Sequence, residues 1–393
     1  MTAVSRLLAP LGRAANRLPA PVAERVLPWK RRAFAEAGTA RTEDAPTRLL
    51  IAPVNSAGQG HAWARAAERL PGVAAANFMY RDRGDVFDFP ADQSVPVAYF
   101  AENRRWQRAQ RHAIESRFTH VVVESGRPFV GVDVPVADQI RSLLARGVQV
   151  ALLWHGSDIR DPRRHAAHEP DSPFHGAYAD VEKLVEVVER NRALVGDLPL
   201  MNFVSTPDLL DDVPTAQWLP PVVDVGGWRA SGSGKPLERR VPVVCHAPSR
   251  AGMKGTAAVR AAMQPLHDEG LIEFTEAVGL RSSQMRSFYG RADIVLDQFA
   301  LGSYGVAACE AMAAGRVVVG HVSARVRSTV EAETSSALPI VEARAGELGD
   351  VIRTIVSERT SARRTARDGE EFVAAVHDGT RSASVLSTFL GAL

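Results

Sequence analysis

A chain of 393 residues, 46% of them hydrophobic, can bury two ordinary cores, so two domains are expected. No run reaches the ~18 uninterrupted apolar residues of a membrane-spanning helix. The two cysteines, Cys245 and Cys309, lie far apart among small apolar neighbours and read as core thiols of a reducing cytosol, and no Cys/His cluster has zinc spacing. The net charge of +2 hides an asymmetry: residues 1–41 carry eight basic residues against Glu24 and Glu36, which leaves the body weakly acidic and argues against nucleic acid as its partner.

Residues 1–45 form an Arg-, Ala- and Pro-rich leader. Val4, Leu7, Leu8 and Leu11 fall at helical spacing, and Trp29-Lys30-Arg31-Arg32 follows, so residues 1–40 could lie on an anionic membrane surface. A tail packed on the first domain fits the same residues, because four prolines interrupt any long helix. The leader lacks the apolar core and cleavage site of a secretory signal, and a cytoplasmic chain, peripheral at the inner face of the membrane if the leader binds there, is expected.

Residues 46–224 are expected as a first Rossmann-like domain. Arg48–Val54 is a strand, and Asn55–Gly60 a loop opening a helix at His61. Gly58 and Gly60 lack the third glycine of the dinucleotide fingerprint, which weakens a dehydrogenase reading, but Ser56, Gly58 and Gly60 would still face a cleft. Strands at 73–79, 120–124 and 148–154 alternate with helices at 102–116 and 133–145, the pattern of a parallel sheet. The last of these strands ends in His155-Gly156-Ser157-Asp158. Ligands bind at such carboxyl ends, so His155 and Asp158 are candidates, although a lone histidine is often structural. Residues 160–175 form a polar excursion without apolar period, a candidate substrate loop, and 180–194 an amphipathic helix. Short strands at 202–205 and 216–219 precede a Gly/Ser/Lys-rich boundary at 226–236.

Residues 225–380 repeat the design. Val241–His246 is a strand, residues 247–253 a loop, and Lys254-Gly255-Thr256 opens a helix. A strand at 271–276 precedes a helix at 282–289 expected to be capped by Ser282. Ala292–Asp297 is a buried strand, followed by Leu301-Gly302-Ser303-Tyr304-Gly305 and a helix of small residues through Glu310 to Gly315. That strand, glycine turn and helix place free N–H groups and a positive dipole end at one mouth of a sheet, a ready anion site. A strand at 316–320 and helices at 345–357 and 360–376 follow. The piece at 382–390, within a last segment 381–393, could pack back on the first domain.

Two Rossmann-like halves with a glycine loop in each look like the GT-B architecture. Lys254-Gly255-Thr256, Ala292–Leu296, Gly302-Ser303-Tyr304-Gly305 and Glu310-Ala311-Met312-Ala313-Ala314-Gly315 resemble the C-terminal domain of family 4 retaining glycosyltransferases. The resemblance covers 241–320, and more loosely 205–224; earlier residues match in pattern only. It implies an α/β GT-B fold and a nucleotide-sugar as co-substrate, with no further cofactor and no metal, as no Asp-x-Asp triplet occurs.

The resemblance also implies roles. Lys254 and Arg250 would neutralise the donor diphosphate, Ser303 to Gly305 would give it backbone N–H groups, Glu310 would accept the ribose hydroxyls, and Val278-Gly279 would shelve the base. His155 would sit near the transferred sugar. Two positions depart from the pattern. The family's first glutamate, which contacts the donor sugar, is Gly302 here, and the arginine five residues before the lysine is Ser249, with Arg250 one place along. The implied activity is transfer of a sugar to a glycan, lipid-linked or small-molecule acceptor, in cell-surface polysaccharide or glycolipid synthesis. A non-catalytic nucleotide-sugar or glycan-binding module, and a sugar-nucleotide epimerase or hydrolase, are the alternatives.

Overall fold

The computed structural model describes residues 38–81, 85–176, 178, 180–248 and 251–392, with Val22, Arg25 and Leu27. The leader stripe, Trp29–Arg32, Ser249 and Arg250 lie outside them.

Two parallel sheets form the frame. The first contains β1 (Thr47–Ala52), β2 (Val73–Arg81), β3 (Gln93–Pro96), β4 (His120–Glu124), β5 (Gln149–Trp154), β6 (Met201–Val204) and β7 (Gln217–Trp218), in the order β3-β2-β1-β4-β5-β6-β7. The second contains β8 (Val243–His246), β9 (Glu273–Glu276), β10 (Ile294–Leu296), β11 (Val317–Gly320) and β12 (Val341–Glu342), in the order β12-β11-β10-β8-β9. Every pairing is parallel. The central strands are apolar because both faces are covered: Val121, Val122 and Val123 of β4, and Ile294 and Val295 of β10, are fully buried.

Strand order reverses between β1 and β4 in the first sheet and between β8 and β10 in the second. A crevice opens at the carboxyl ends of such pairs. The first crevice is therefore walled by the loops after Ala52 and Glu124, and the second by those after His246 and Leu296.

Several elements differ from expectation. The single helix over 102–116 is two, Val97–Glu102 and Arg104–Arg117, broken at Asn103, which leaves helical geometry (φ −92, ψ 88) to cap Trp106 N–H at 2.9 Å. The helix expected from residue 133 starts at Val136, after an extended Pro135. The polar excursion contains a helix, Pro162–His168, because Asp161 caps the amides of Arg163 and Arg164 and Pro162 occupies the first turn. Residues 251–253, expected as loop, join Lys254 in a helical turn. Ser282 is not the cap of its helix: Gln284 Oε1 accepts the Arg281 N–H instead. Ser282 N–H donates to Phe87 O at 2.8 Å in the first domain.

The halves are tied in several places. The final helix, Thr380–Leu390, puts Leu386 and Leu390 into the same apolar cluster as Leu49, Ile51 and Trp63. The chain thus crosses between halves near 219–225 and again near 376–380. His377 joins the two crossings, donating Nδ1–H to Pro221 O (2.8 Å) and accepting from Val223 N–H through its carbonyl (2.9 Å). No helix among the described residues is long and apolar enough to cross a membrane.

Candidate functional site

The first wall of the cleft is built on β4 and β5. Glu124 ends β4 fully buried, an expensive place for a carboxylate unless it is bonded. Its oxygens accept N–H bonds from Val54 (2.8 Å) and Asn55 (3.0 Å) on the β1 loop, and the His155 Nε2 stands 3.0 Å away. The loop can turn there because Asn55 and Gly58 adopt left-handed backbone (φ 55 and 75). Gly60 has no room for a side chain, since a β-carbon would lie 2.8 Å from Asn77 Nδ2.

His155 is therefore strongly positioned. Its ring stacks on buried Trp63 at 5.8 Å between centroids, and its N–H donates to the Asp158 carboxylate at 3.0–3.1 Å. Asp158 also accepts from Gly156 N–H (2.7 Å) and Ser125 Oγ (2.6 Å), so it organises the turn after β5 rather than facing solvent with free oxygens. Burial pushes the imidazole toward neutrality, but the Glu124 hydrogen bond and the Glu124 and Asp158 charges outweigh it and raise its pKa. An imidazole so held at a strand end can stabilise an anion or hold a substrate oxygen. Ser56, on the β1 loop, has no side-chain partner among the described residues and is only partly exposed.

The second wall has a different character. Lys254 Nζ pairs with Asp297 Oδ1 at 2.8 Å, at the mouth of the β8/β10 crevice. Gly255 follows in left-handed backbone (φ 73), letting the turn approach Phe299. His246, fully buried at the end of β8, donates Nδ1–H to Leu296 O (2.9 Å), so its Nε2 accepts from Thr256 Oγ1 (3.0 Å); burial keeps it neutral, and it pins both ends of the intervening loop. Gln298 shapes the next loop, accepting from Leu301 N–H (2.8 Å) and donating to the carbonyls of Ser303 and His321. The backbone N–H groups from Ser303 to Ala307, at the entry of the Val306–Ala313 helix, have no acceptor among the described residues. That is a cradle for an anion.

Glu310 stands one turn into that helix, partly buried and without a hydrogen-bond partner among the described residues. Burial pushes its carboxyl up to about 8, against the pull of Lys254 and Arg286. Gly279 is left-handed (φ 71) and Val278 beside it is 70% exposed, the largest exposure of any big apolar side chain described. An exposed apolar residue, a cation, an amide cradle and a hydrogen-bond acceptor thus lie on the loops and helix entries that follow the strands of the second sheet. Tyr304 contributes backbone only, for its ring is buried and its hydroxyl meets His377 Nε2 at 3.3 Å.

The walls meet at the residues 160–175. Arg160 binds Asp208 (2.5 Å), whose other oxygen accepts from Ser303 Oγ (2.6 Å) on the opposite wall. Burial would raise the Asp208 carboxyl, but Arg160 and Ser303 hold it below its ordinary value. His165 Nε2 donates to Leu301 O (3.3 Å). Glu169 Oε2 meets His321 Nε2 (2.9 Å), and its Oε1 meets Arg344 (2.7 Å). None of Glu124, Trp63, Asp208, Asp297, Glu169 and His321 was singled out from sequence. Glu124 and Asp297 carried a signal, an acid closing an apolar strand; the cross-domain partners carried none.

No family profile matches the chain, and no curated protein matches it in sequence. Solved structures do share its shape. Sucrose-phosphate synthase from Thermosynechococcus elongatus superposes with a TM-score of 0.57 at 14% identity, over 87% of this chain and 97% of that one. Anabaena Alr3699/HepE in complex with UDP and glucose gives 0.58 at 11%, over 88% and 100%. A glycosyltransferase from Rickettsia africae ESF-5 gives 0.50 at 12%, over 88% and 98%. At such identities the likeness speaks to fold, and the fold is the two-sheet α/β GT-B architecture.

Proposed function

We propose that this chain transfers a sugar from a nucleotide-sugar to an acceptor hydroxyl. The observation that carries the reading is the second crevice: unpartnered N–H groups at a helix start, Lys254 and an unbonded Glu310, with His155 held by Glu124 on the first wall. The shape shared with Anabaena Alr3699/HepE in complex with UDP and glucose supports it. The amide cradle and Lys254 take the diphosphate and stabilise the charge that grows on it as the sugar leaves, which is electrostatic catalysis by preorganised donors. Arg250 adds a second cation in this reading. Glu310 accepts ribose hydroxyls, and Val278-Gly279 lies under the base.

In the same proposal His155 fixes the sugar, with its proton held by Glu124, and the departing phosphate receives the acceptor's proton on one face, so that configuration is retained. Protein cations carry the charge without a metal. The acceptor is a glycan, lipid-linked or small-molecule hydroxyl, and the basic leader suits work at an anionic membrane inside the cell, in polysaccharide or glycolipid synthesis. The test is a thermal-shift panel of nucleotide-sugars followed by product analysis in excess chelator. A binder that is turned over with retention supports the reading. A binder never turned over makes the chain a nucleotide-sugar-binding module, and no binder at all sinks the site.

A further inference from the structure

The turn that cradles the diphosphate begins at Gly302, and Gly302 has no side chain for a neighbouring sugar. It is left-handed (φ 62), and a β-carbon there would lie 3.0 Å from Glu169 Oε2 and 3.5 Å from His321 Nε2. A carboxylate from the other domain thus stands in tight contact with the place where a residue-302 side chain would begin. We propose that Glu169 is the acceptor of donor-sugar hydroxyl groups, so that the sugar subsite is assembled from both domains and is complete only when the cleft is closed. This rests on the reading of the second crevice as a nucleotide-sugar site.

Glu169 is held for that task from three directions. His321 lies between Glu169 Oε2 (2.9 Å) and Glu342 Oε1 (2.6 Å); two carboxylates can only accept, so both ring nitrogens donate and the ring is cationic. Arg344 grips Glu169 Oε1 and also Asp171 Oδ2 (2.6 Å). Against burial, these cations keep the Glu169 carboxyl below its ordinary value, so it is an ionised, acceptor-only group. Each oxygen uses one protein donor and keeps lone-pair capacity for a hydroxyl. The segment bearing it is fixed over the same turn by His165 on Leu301 O, with Ser303 Oγ bonded to Asp208 beside it. The Glu169 carboxylate adjoins the amide cradle directly, because Gly302 immediately precedes Ser303.

The experiment uses the full chain with UDP, GDP, ADP and dTDP and their glucose conjugates as probes. The best diphosphate and its conjugate are then measured by calorimetry on wild type, Glu169→Gln, and the double variant Glu169→Ala/Gly302→Glu, each checked for an intact melting transition. Glu169→Gln should change diphosphate affinity little and lower conjugate affinity about tenfold or more, the loss of a charge-assisted hydrogen bond. The double variant, which moves the carboxylate to the other domain, should recover part of that loss. Equal loss for both ligands, or no loss, would overturn the inference and leave Glu169 a domain tie. If diphosphates bind wild type but the sugar adds nothing, the inference fails alone; if no diphosphate binds, the site itself fails with it.

Discussion

The two walls of the cleft solve opposite problems. On the first, every charged group is satisfied: Glu124 accepts two amides and the His155 ring, Asp158 accepts from Ser125 and two amides, and Trp63 backs the imidazole. On the second, amides at a helix entry and the Glu310 carboxylate are left without described partners, and Glu310 bears the strain as a raised pKa. A satisfied network holds geometry, whereas an unsatisfied one stores free energy that a ligand releases. In the proposed function this contrast corresponds to positioning by the first wall and ligand affinity from the second.

Mutations should separate the walls. The largest effect is expected from Glu124→Ala, which strands the Val54 and Asn55 amides and the His155 Nε2 in a buried site. A destabilisation of about 3–5 kcal/mol, read from urea midpoints, is expected from breaking such a buried pair. An unchanged midpoint would erase the distinction between the walls. Lys254→Ala should instead keep its cooperative transition and lose ~1.5–3 kcal/mol of nucleoside diphosphate binding in calorimetry, the value of one charged hydrogen bond. Unaltered affinity would show that the second wall does not hold the diphosphate.

Glu310→Gln should have a mixed and smaller effect. The folded carboxyl titrates at about 8 against an ordinary 4.5, so between these values the folded state holds the extra proton. Stability from this group is present below pH 4.5 and lost as pH rises through about 8. Glutamine cannot ionise, so the variant should match wild type near pH 4 and melt higher at pH 9, while binding nucleotides more weakly. Equal melting temperatures at pH 9 would show that Glu310 is not strained. Ser282→Ala sets the lower limit: the bridge to Phe87 O is made by its backbone, and the hydroxyl contact to Asp88 O is 3.4 Å long. A melting shift within about 1–2 °C is expected, below the 2–4 °C that ~1 kcal/mol produces in domains of this size.

Much of this contrast was legible in the sequence, and its limits have physical causes. Apolar runs such as Val121–Val123 and Val317–Val319 mark buried parallel strands wherever they occur. β3 was not legible because Gln93-Ser94-Val95-Pro96 is a half-exposed edge strand with one buried apolar residue, and β12 is only two residues long. The helix Ala324–Thr334 buries just Val326 and Val330, too little for a stripe. For the proposed site, strand-end position pointed to His155, and glycine turns pointed to Lys254 and to Gly302 through Glu310. What sequence could not reveal is the pairing of Glu169 with His321, 152 positions apart, since polar residues in an aperiodic segment advertise no partner.

The double crossing between domains has a mechanical consequence. Two chain segments, stitched to each other at His377 through Pro221 and Val223, form a paired pivot rather than a single tether. A single tether would leave twist, tilt and sliding free; a stitched pair favours rotation about the line that joins the two crossings. Swinging about that axis would part Glu169 from His321 and Ser303 from Asp208 in the same movement. The cleft would then open like a book along its spine.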